Sequence, residues 1–303
     1  MDLKEAVKAT PRPLIKHFKT WTGTKWRTVA EPQEPLKTAL KETNAVLSVL
    51  YEALLKENGL KDIPQAYRAG HSVKDNAKIH ARNRTWYRYD FSGFYDTVRF
   101  EDFAPRLEAI LPDIMKNANT YRDAFIDPDT NGLTQGSPTS GVLAGIACIP
   151  FWLELKRRLP KATITQYSDD LCVSGTRLSQ WETTREILDA IRTTGLQVRL
   201  NDKKTRVDTD QHRRLTGVSC NADNQLTPRR QDYRTMRSIM HNMKTKGAGA
   251  IPEESSACKI LGQLAYMKYI DTTGKIEKLE TSYADVVEML KQMQKEELCS
   301  QIQ

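Results

Sequence analysis

The chain has 303 residues and a formal net charge of +8, with 46 Lys and Arg against 38 Asp and Glu. Hydrophobic residues make up 39% and charged residues 28%, the balance of a globular protein with room for two or three subdomains. No apolar run approaches a membrane span, the start lacks the apolar core of a leader, and the five cysteines (Cys148, Cys172, Cys220, Cys258, Cys299) form no Cys-x-x-Cys pair. A membrane protein, a zinc site and a disulfide framework are therefore not expected, and a reducing cytoplasm is the expected setting. The basic balance favours a polyanionic partner, nucleic acid first.

In chain order, leucines 36, 40, 47, 50 and 54 recur at helical spacing, predicting a helix over 36–55 that ends near Gly59. The aromatic run Trp86-Tyr87-Arg88-Tyr89-Asp90-Phe91 predicts a strand. Residues 100–111 predict a helix stopped near Pro112. Residues 140–159 predict a buried helix broken or kinked near Pro150. Two β-prone runs, 164–167 and 171–174, flank Ser168-Asp169-Asp170 and predict a hairpin with two carboxylates at its tip. A helix over 181–193 should end at Gly195. Short strands are expected at 196–200 and 215–220. After Pro228 the pattern is helical, with Tyr233, Met236, Met240 and Met243 on one core face, a loop at 247–249, and helices over 260–269 and 283–293.

Chemistry concentrates in the middle of the chain. Adjacent carboxylates in a tight turn repel unless a cation lies between them. Mg²⁺ suits them because it takes hard oxygen ligands and shares its shell with substrate phosphates. Phosphoryl transfer at a nucleotide chain end commonly uses two such metals. Alone, an Asp pair is ordinarily a solvated turn and Asp90 ordinarily a helix cap. Together, a strand-end Asp90 and a hairpin tip can share metals if their strands are neighbours. The segment Gly132-Leu133-Thr134-Gln135-Gly136-Ser137-Pro138-Thr139-Ser140-Gly141 has the small residues that let a backbone approach a flat, charged ligand.

Asp90-Phe91-Ser92-Gly93-Phe94-Tyr95, then Gln135-Gly136-Ser137-Pro138-Thr139-Ser140, then Tyr167-Ser168-Asp169-Asp170 resemble motifs A, B and C of reverse transcriptases, in that order. Gly195-Leu196 with Asn201, Lys203, Lys204 and Thr205 is similar to motif D, and Leu215-Thr216-Gly217 stands where motif E is expected. Within that family the bacterial retron enzymes look closest. Asn76-Ala77-Lys78-Ile79-His80 matches their Asn-Ala-x-x-His element, and Tyr67 to Val73 resembles their fingers motif. Two positions depart from the retron pattern: Ser168 stands where alanine is usual, and Leu215 where valine is usual.

The resemblance implies an α+β fold, the right hand of a polymerase. It would have helical fingers (1–85), an antiparallel-sheet palm backed by helices (86–227, with a fingers insertion at about 100–131) and an α-helical thumb (228–303). It implies an RNA-directed DNA polymerase that copies part of a structured noncoding RNA and gives an RNA–DNA hybrid. It also implies a cytoplasmic, bacterial setting and a role in anti-phage defence, usually with a separate effector protein. Asp90, Asp169 and Asp170 would be catalytic and, with Phe91, hold two Mg²⁺ ions.

Tyr95 would lie under the sugar and exclude a 2′-hydroxyl, and Gln135 and Gly136 would face the incoming deoxynucleotide and the template. Arg68 is a triphosphate candidate because a guanidinium suits bidentate phosphate contact. Lys203 or Lys204 would protonate the leaving pyrophosphate. Asn76, His80, Arg229, Arg230, Arg234 and Arg237 would contact nucleic acid. The competing readings are another bacterial defence-associated or intron-derived reverse transcriptase, a viral RNA-dependent RNA polymerase, and an idle RNA-binding scaffold. Tyr95 counts against the viral enzyme and the intact aspartates against the scaffold.

Overall fold

The computed structural model describes residues 2–21 and 26–300. The chain divides into two compact units. One comprises residues up to 72 together with 86–207. The other comprises 73–85 together with 208 onward. No helix among the described residues is long and apolar enough to cross a membrane.

The first unit is organised around the helix Ser140–Arg158. Its early turns are built from small and apolar residues, and Val142, Leu143, Ile146, Phe151, Trp152 and Leu155 are all buried. A helix apolar on every side belongs inside the protein. The expected break at Pro150 does not occur. The helix runs through it, because packing of Ile149, Phe151 and Trp152 outweighs the loss of one backbone hydrogen bond.

The helix Leu36–Glu57 lies in the same core through Leu36, Leu40, Leu47 and Leu55 and is followed by Gly59 at φ 64°. The helix Gln180–Thr194 starts at a capping box between Ser179 and Glu182 and stops at Gly195, which is left-handed. The long helix expected over 100–111 is shorter: Phe100–Phe103 gives way to a 3₁₀ turn at Ala104–Leu107, since Pro105 interrupts the backbone bonding.

Four strands of this unit pair antiparallel in the order Thr163–Tyr167, Asp170–Ser174, Thr85–Ser92, Arg199–Leu200. The carboxylate hairpin thus lies directly beside the aromatic strand, which is central. An N-terminal hairpin, Ile15–Trp21 with Trp26–Pro32, was not expected from sequence. Its first strand is exposed on both faces after Ile15, so it lacks the alternation that marks a half-buried strand.

In the second unit the strand expected over 215–220 is instead a hairpin. Arg213–Leu215 pairs with Val218–Cys220 across Thr216 and Gly217, whose φ values are 45° and 85°. Leu226–Pro228 completes a three-stranded sheet. The helices Arg230–Lys246, Ala257–Ile270, Lys275–Ser282 and Ala284–Ser300 enclose a separate core that includes Met236, Met240, Met243, Ile260, Leu264 and Leu290. Residues 73–85 and 208–227, placed by sequence with the fingers and palm, share this unit with the C-terminal helices.

One side chain ties its pieces together. Arg213 is 2% exposed and donates to the carbonyls of Asp210, Ala81 and Asn83 and to Asn224 Oδ1, at 2.6 to 3.1 Å, as well as to the Asn221 carbonyl. A lysine offers no planar fork, so Arg213→Lys leaves several buried carbonyls unsatisfied. The expected loss is about 2–4 kcal/mol of stability. An unchanged urea midpoint would refute this role.

Candidate active site

The central strand delivers Asp90 to the edge of the hairpin. Asp90 pairs in register with Asp170, the Phe91 amide donates to the Asp169 carbonyl at 2.9 Å, and the Asn201 amide donates to the Asp90 carbonyl at 2.8 Å. The antiparallel ladder therefore forces three carboxylates into one neighbourhood, as strand adjacency requires. Phe91 itself is buried against Phe94 and Phe151, and only its backbone lies at this edge.

The turn Ser168-Asp169 needs a residue at positive φ, and Ser168 takes it at 57°. A buried polar relay holds it there. Trp152 Nε1 donates to Gln166 Oε1 at 2.7 Å, and Gln166 Nε2 donates to the Ser168 carbonyl at 2.8 Å. Sequence reading missed Gln166 and Trp152. The available signal was a glutamine inside an apolar strand, which must find partners when buried.

The charge is unbalanced. Asp90, 6% exposed, accepts from Lys204 Nζ at 2.5 Å and from Asn201 Nδ2 at 3.2 Å. Burial, then Asp169, then Asp90 push the Asp170 carboxyl up to about 6, only partly offset by Arg88 and Lys204. The hydrogen bond to Asp90 raises the Lys204 ammonium in turn, against the opposing effect of burial. Of the two lysines left open by spacing, Lys204 is the one that reaches the carboxylates. An all-oxygen acidic cluster with too little positive charge of its own suits a hard divalent cation.

Other expected site residues distribute unevenly. Tyr95, on the short helix Phe94–Thr97, meets the hairpin: its hydroxyl lies 2.9 Å from Ser168 Oγ. Gln135 is held by Asp96, with Nε2 donating to Oδ1 at 3.0 Å. Gly136, at φ 117°, packs on the N-terminal hairpin, where an added Cβ would come within 2.3 Å of the Ala30 carbonyl oxygen.

Arg68 is not available as expected. Its side chain is 3% exposed, forks onto both oxygens of Glu52 and donates to the Lys61 and Pro64 carbonyls. Asn76 and His80 are also corrected. Both are wholly buried, and burial pushes the His80 imidazole down to about 3, so they are core groups of the second unit rather than nucleic-acid contacts.

In the second unit, Arg230, Arg234 and Arg237 line a cavity of about 770 Å³ with His212, Arg214 and Lys275. Arg229 instead forks onto Asp232 at 2.8 and 2.9 Å. A further cluster that sequence reading did not single out, His17 with Asp127 and Asp129, lies elsewhere in the first unit. There the Asp127 carboxylate, 2.8 Å from His17 Nε2, holds the imidazole above its ordinary range. An ion pair accounts for it.

Residues 22–263 match the family described as reverse transcriptase (RNA-dependent DNA polymerase). The retron Ec83 reverse transcriptase of Escherichia coli is 24% identical over 256 residues, 80% of each chain. Among solved structures, telomerase from Candida albicans, in complex with a TWJ fragment of telomeric RNA, superposes with a TM-score of 0.53 at 13% identity. The match covers 92% of this chain and 56% of that one. Apo telomerase from Candida tropicalis gives 0.53 at 10% identity, covering 90% and 57%. The chain spans little more than half the length of these telomerases, and at such identities the likeness concerns the fold, the right hand of a polymerase. The chain belongs to the reverse transcriptase family and is an RNA-directed DNA polymerase, similar to a retron enzyme over most of its length. Enzymes of this family work with divalent metal ions.

The raised Asp170 carboxyl makes a stability prediction for the metal-free protein. Because the folded state holds that proton more tightly than the unfolded chain, this group costs stability as pH rises from about 4 to about 6, and the full cost remains above that. Asp170→Asn should therefore raise stability at pH 7.5 by about 1–2 kcal/mol, with little change at pH 4. Thermal melts at the two pH values decide it, and equal shifts at both would be the contrary result.

Proposed function

We propose that this enzyme copies part of a structured noncoding RNA into DNA, using two Mg²⁺ ions held by Asp90, Asp169 and Asp170, and that it serves anti-phage defence in the bacterial cytoplasm beside a separate effector protein. The observation that carries the reading is the register of Asp90 against Asp170, which brings both acidic motifs to one strand edge. The metals, when bound, would supply the activation of the attacking hydroxyl and the neutralisation of charge on the triphosphate. The Phe91 carbonyl, on the same edge, is a further oxygen donor for them.

In this reading the protein's own groups do the following. Asp90, Asp169 and Asp170 present carboxylate oxygens to the metals. Lys204 carries a proton within reach of this cluster and delivers it to the leaving pyrophosphate. The Tyr95 ring lies under the deoxyribose and leaves no space for a 2′-hydroxyl. The loop of Gln135 and Gly136 supports the templating base pair with its deoxynucleoside triphosphate. The first unit contains the palm. The exposed face of Arg230, Arg234 and Arg237, on the second unit's long helix, is the thumb surface that grips phosphates of the RNA–DNA hybrid.

Asp169→Asn should abolish nucleotide addition with Mg²⁺ while leaving the melting temperature close to wild type. Retained turnover at normal rates would sink the metal assignment. Nucleic acid co-purified from the native host tests the template class. Wild type should carry one structured RNA joined to a defined DNA, and the Asp169→Asn protein the RNA alone. Diffuse cellular RNA in both would refute it. For the proton donor, Lys204→Ala should lower kcat by about 10²-fold or more, the usual scale of general-acid loss, whereas Lys203→Ala should leave it within a few-fold. Equal effects at the two positions would argue against Lys204.

A further inference from the structure

Three residues from three distant parts of the first unit meet at the Tyr95 hydroxyl. Tyr95 donates to Tyr67 Oη at 2.6 Å. With its one proton used there, Tyr95 accepts from the Ser168 hydroxyl at 2.9 Å. Tyr67 is held in a costly backbone conformation, φ 58°, which a bulky aromatic residue rarely adopts. Tyr67 is 55% exposed as a residue, but its ring lies hard against the first turn of the helix Ser140–Arg158, where a Cβ on Gly141 would come within 2.4 Å of Tyr67 Cγ. A strained residue that surroundings over-determine on both sides, by a missing side chain and by a short hydrogen bond, is a sign of function rather than of packing alone. Ser168, on the carboxylate turn, is the other anchor.

We propose that Tyr67 and Ser168 are positioning residues for the sugar gate: they clamp the Tyr95 hydroxyl from both sides and so fix the ring that excludes ribonucleotides. The gate is then stiff not because Tyr95 is buried, but because its far end is tied to the segment before residue 72 and to the carboxylate turn. An incoming 2′-hydroxyl would have to displace the ring against both bonds. Gly141 acts one step further out, by leaving room for the Tyr67 ring. This inference rests on the reading of Tyr95 as the gate.

The test is the ratio of kcat/KM for a deoxynucleotide to that for the matching ribonucleotide, measured by primer extension with purified enzyme. Tyr67→Phe keeps the ring and removes only the acceptor. It should lower the ratio by about two- to tenfold, the usual effect of one lost hydrogen bond, chiefly through a lower KM for the ribonucleotide. Ser168→Ala should act in the same direction. Gly141→Ala, which pushes the Tyr67 ring away, should reproduce the Tyr67→Phe ratio. In a Tyr95→Phe background the hydroxyl is already gone, so adding Tyr67→Phe should change nothing further. A purely structural role for Tyr67 would lower both kcat/KM values in proportion and leave the ratio unmoved, and that result overturns the proposal. So does an additive effect in the Tyr95→Phe background. Tyr95→Ala separates the two levels. If it lowers the ratio while Tyr67→Phe does not, the clamp alone falls. If Tyr95→Ala leaves the ratio unmoved, the gate reading falls with it.

Discussion

Like charge held together by backbone hydrogen bonds is the constraint on which the first unit depends. Asp90 and Asp170 are opposite each other because their strands pair antiparallel, and Asp169 follows from the turn geometry. Left to themselves three carboxylates would separate. The ladder prevents it, and the Asn201 and Phe91 amides close the backbone on either side of Asp90. A one-residue slip in that register would turn Asp90 to the opposite face of the sheet and dissolve the cluster. The surrounding core has the corresponding job of making slip impossible. Trp86, Tyr89 and Phe91 are wholly or almost wholly buried on the same strand.

The braces on the turn are polar and internal. Gln166 bonds through its backbone to Ile63 and Gln65, and through its side chain to Trp152 and Ser168. One buried glutamine therefore joins the segment before residue 72, the buried helix and the carboxylate turn. A half-satisfied network of this kind would be worse than an apolar one, so each member depends on the others. The Tyr67–Tyr95–Ser168 contacts meet the same turn from the solvent side. The turn is thus supported from both faces, which a strained backbone next to repelling charges requires.

How much could be read beforehand follows from range. Asp90, Asp169 and Asp170 were legible because strand propensity and turn chemistry are local, and their order along the chain matches one family. The helix over 180–194 was legible because its end signal, Gly195, is a single residue with a known geometry. The fates of the basic residues were not. Arg68, Arg213 and Arg229 look like Arg230, Arg234 and Arg237 in sequence. Yet Arg68 is consumed by Glu52, 16 positions earlier, and Arg213 by carbonyls around residues 81 and 83. Only the fold shows which guanidinium is a staple and which faces a cleft. The glycines are similar. Small residues at 136 and 141 were read as room for a ligand, and the fold adds a packing role that sequence does not show: they admit the Ala30 carbonyl and the Tyr67 ring.

The Lys204–Asp90 pair shows how such a site can be both stable and ready to act. The Lys204 side chain is 56% exposed and the Asp90 side chain 9%, so the pair is half in water. An ion pair of that kind contributes about 1 kcal/mol at most, and the lysine loses little by leaving. The carboxylates stand to gain far more from a divalent ion than from one ammonium, because the repulsion that raises Asp170 is then neutralised at its source. Lys204 is therefore well suited as a placeholder. It offsets part of the charge when the carboxylates have no other counterion, and in the proposed reaction its long flexible stem would let it turn to a triphosphate without leaving the neighbourhood. A buried arginine in the same place would do the first task and fail the second, since its fork would be locked to the carboxylates as Arg68 is locked to Glu52.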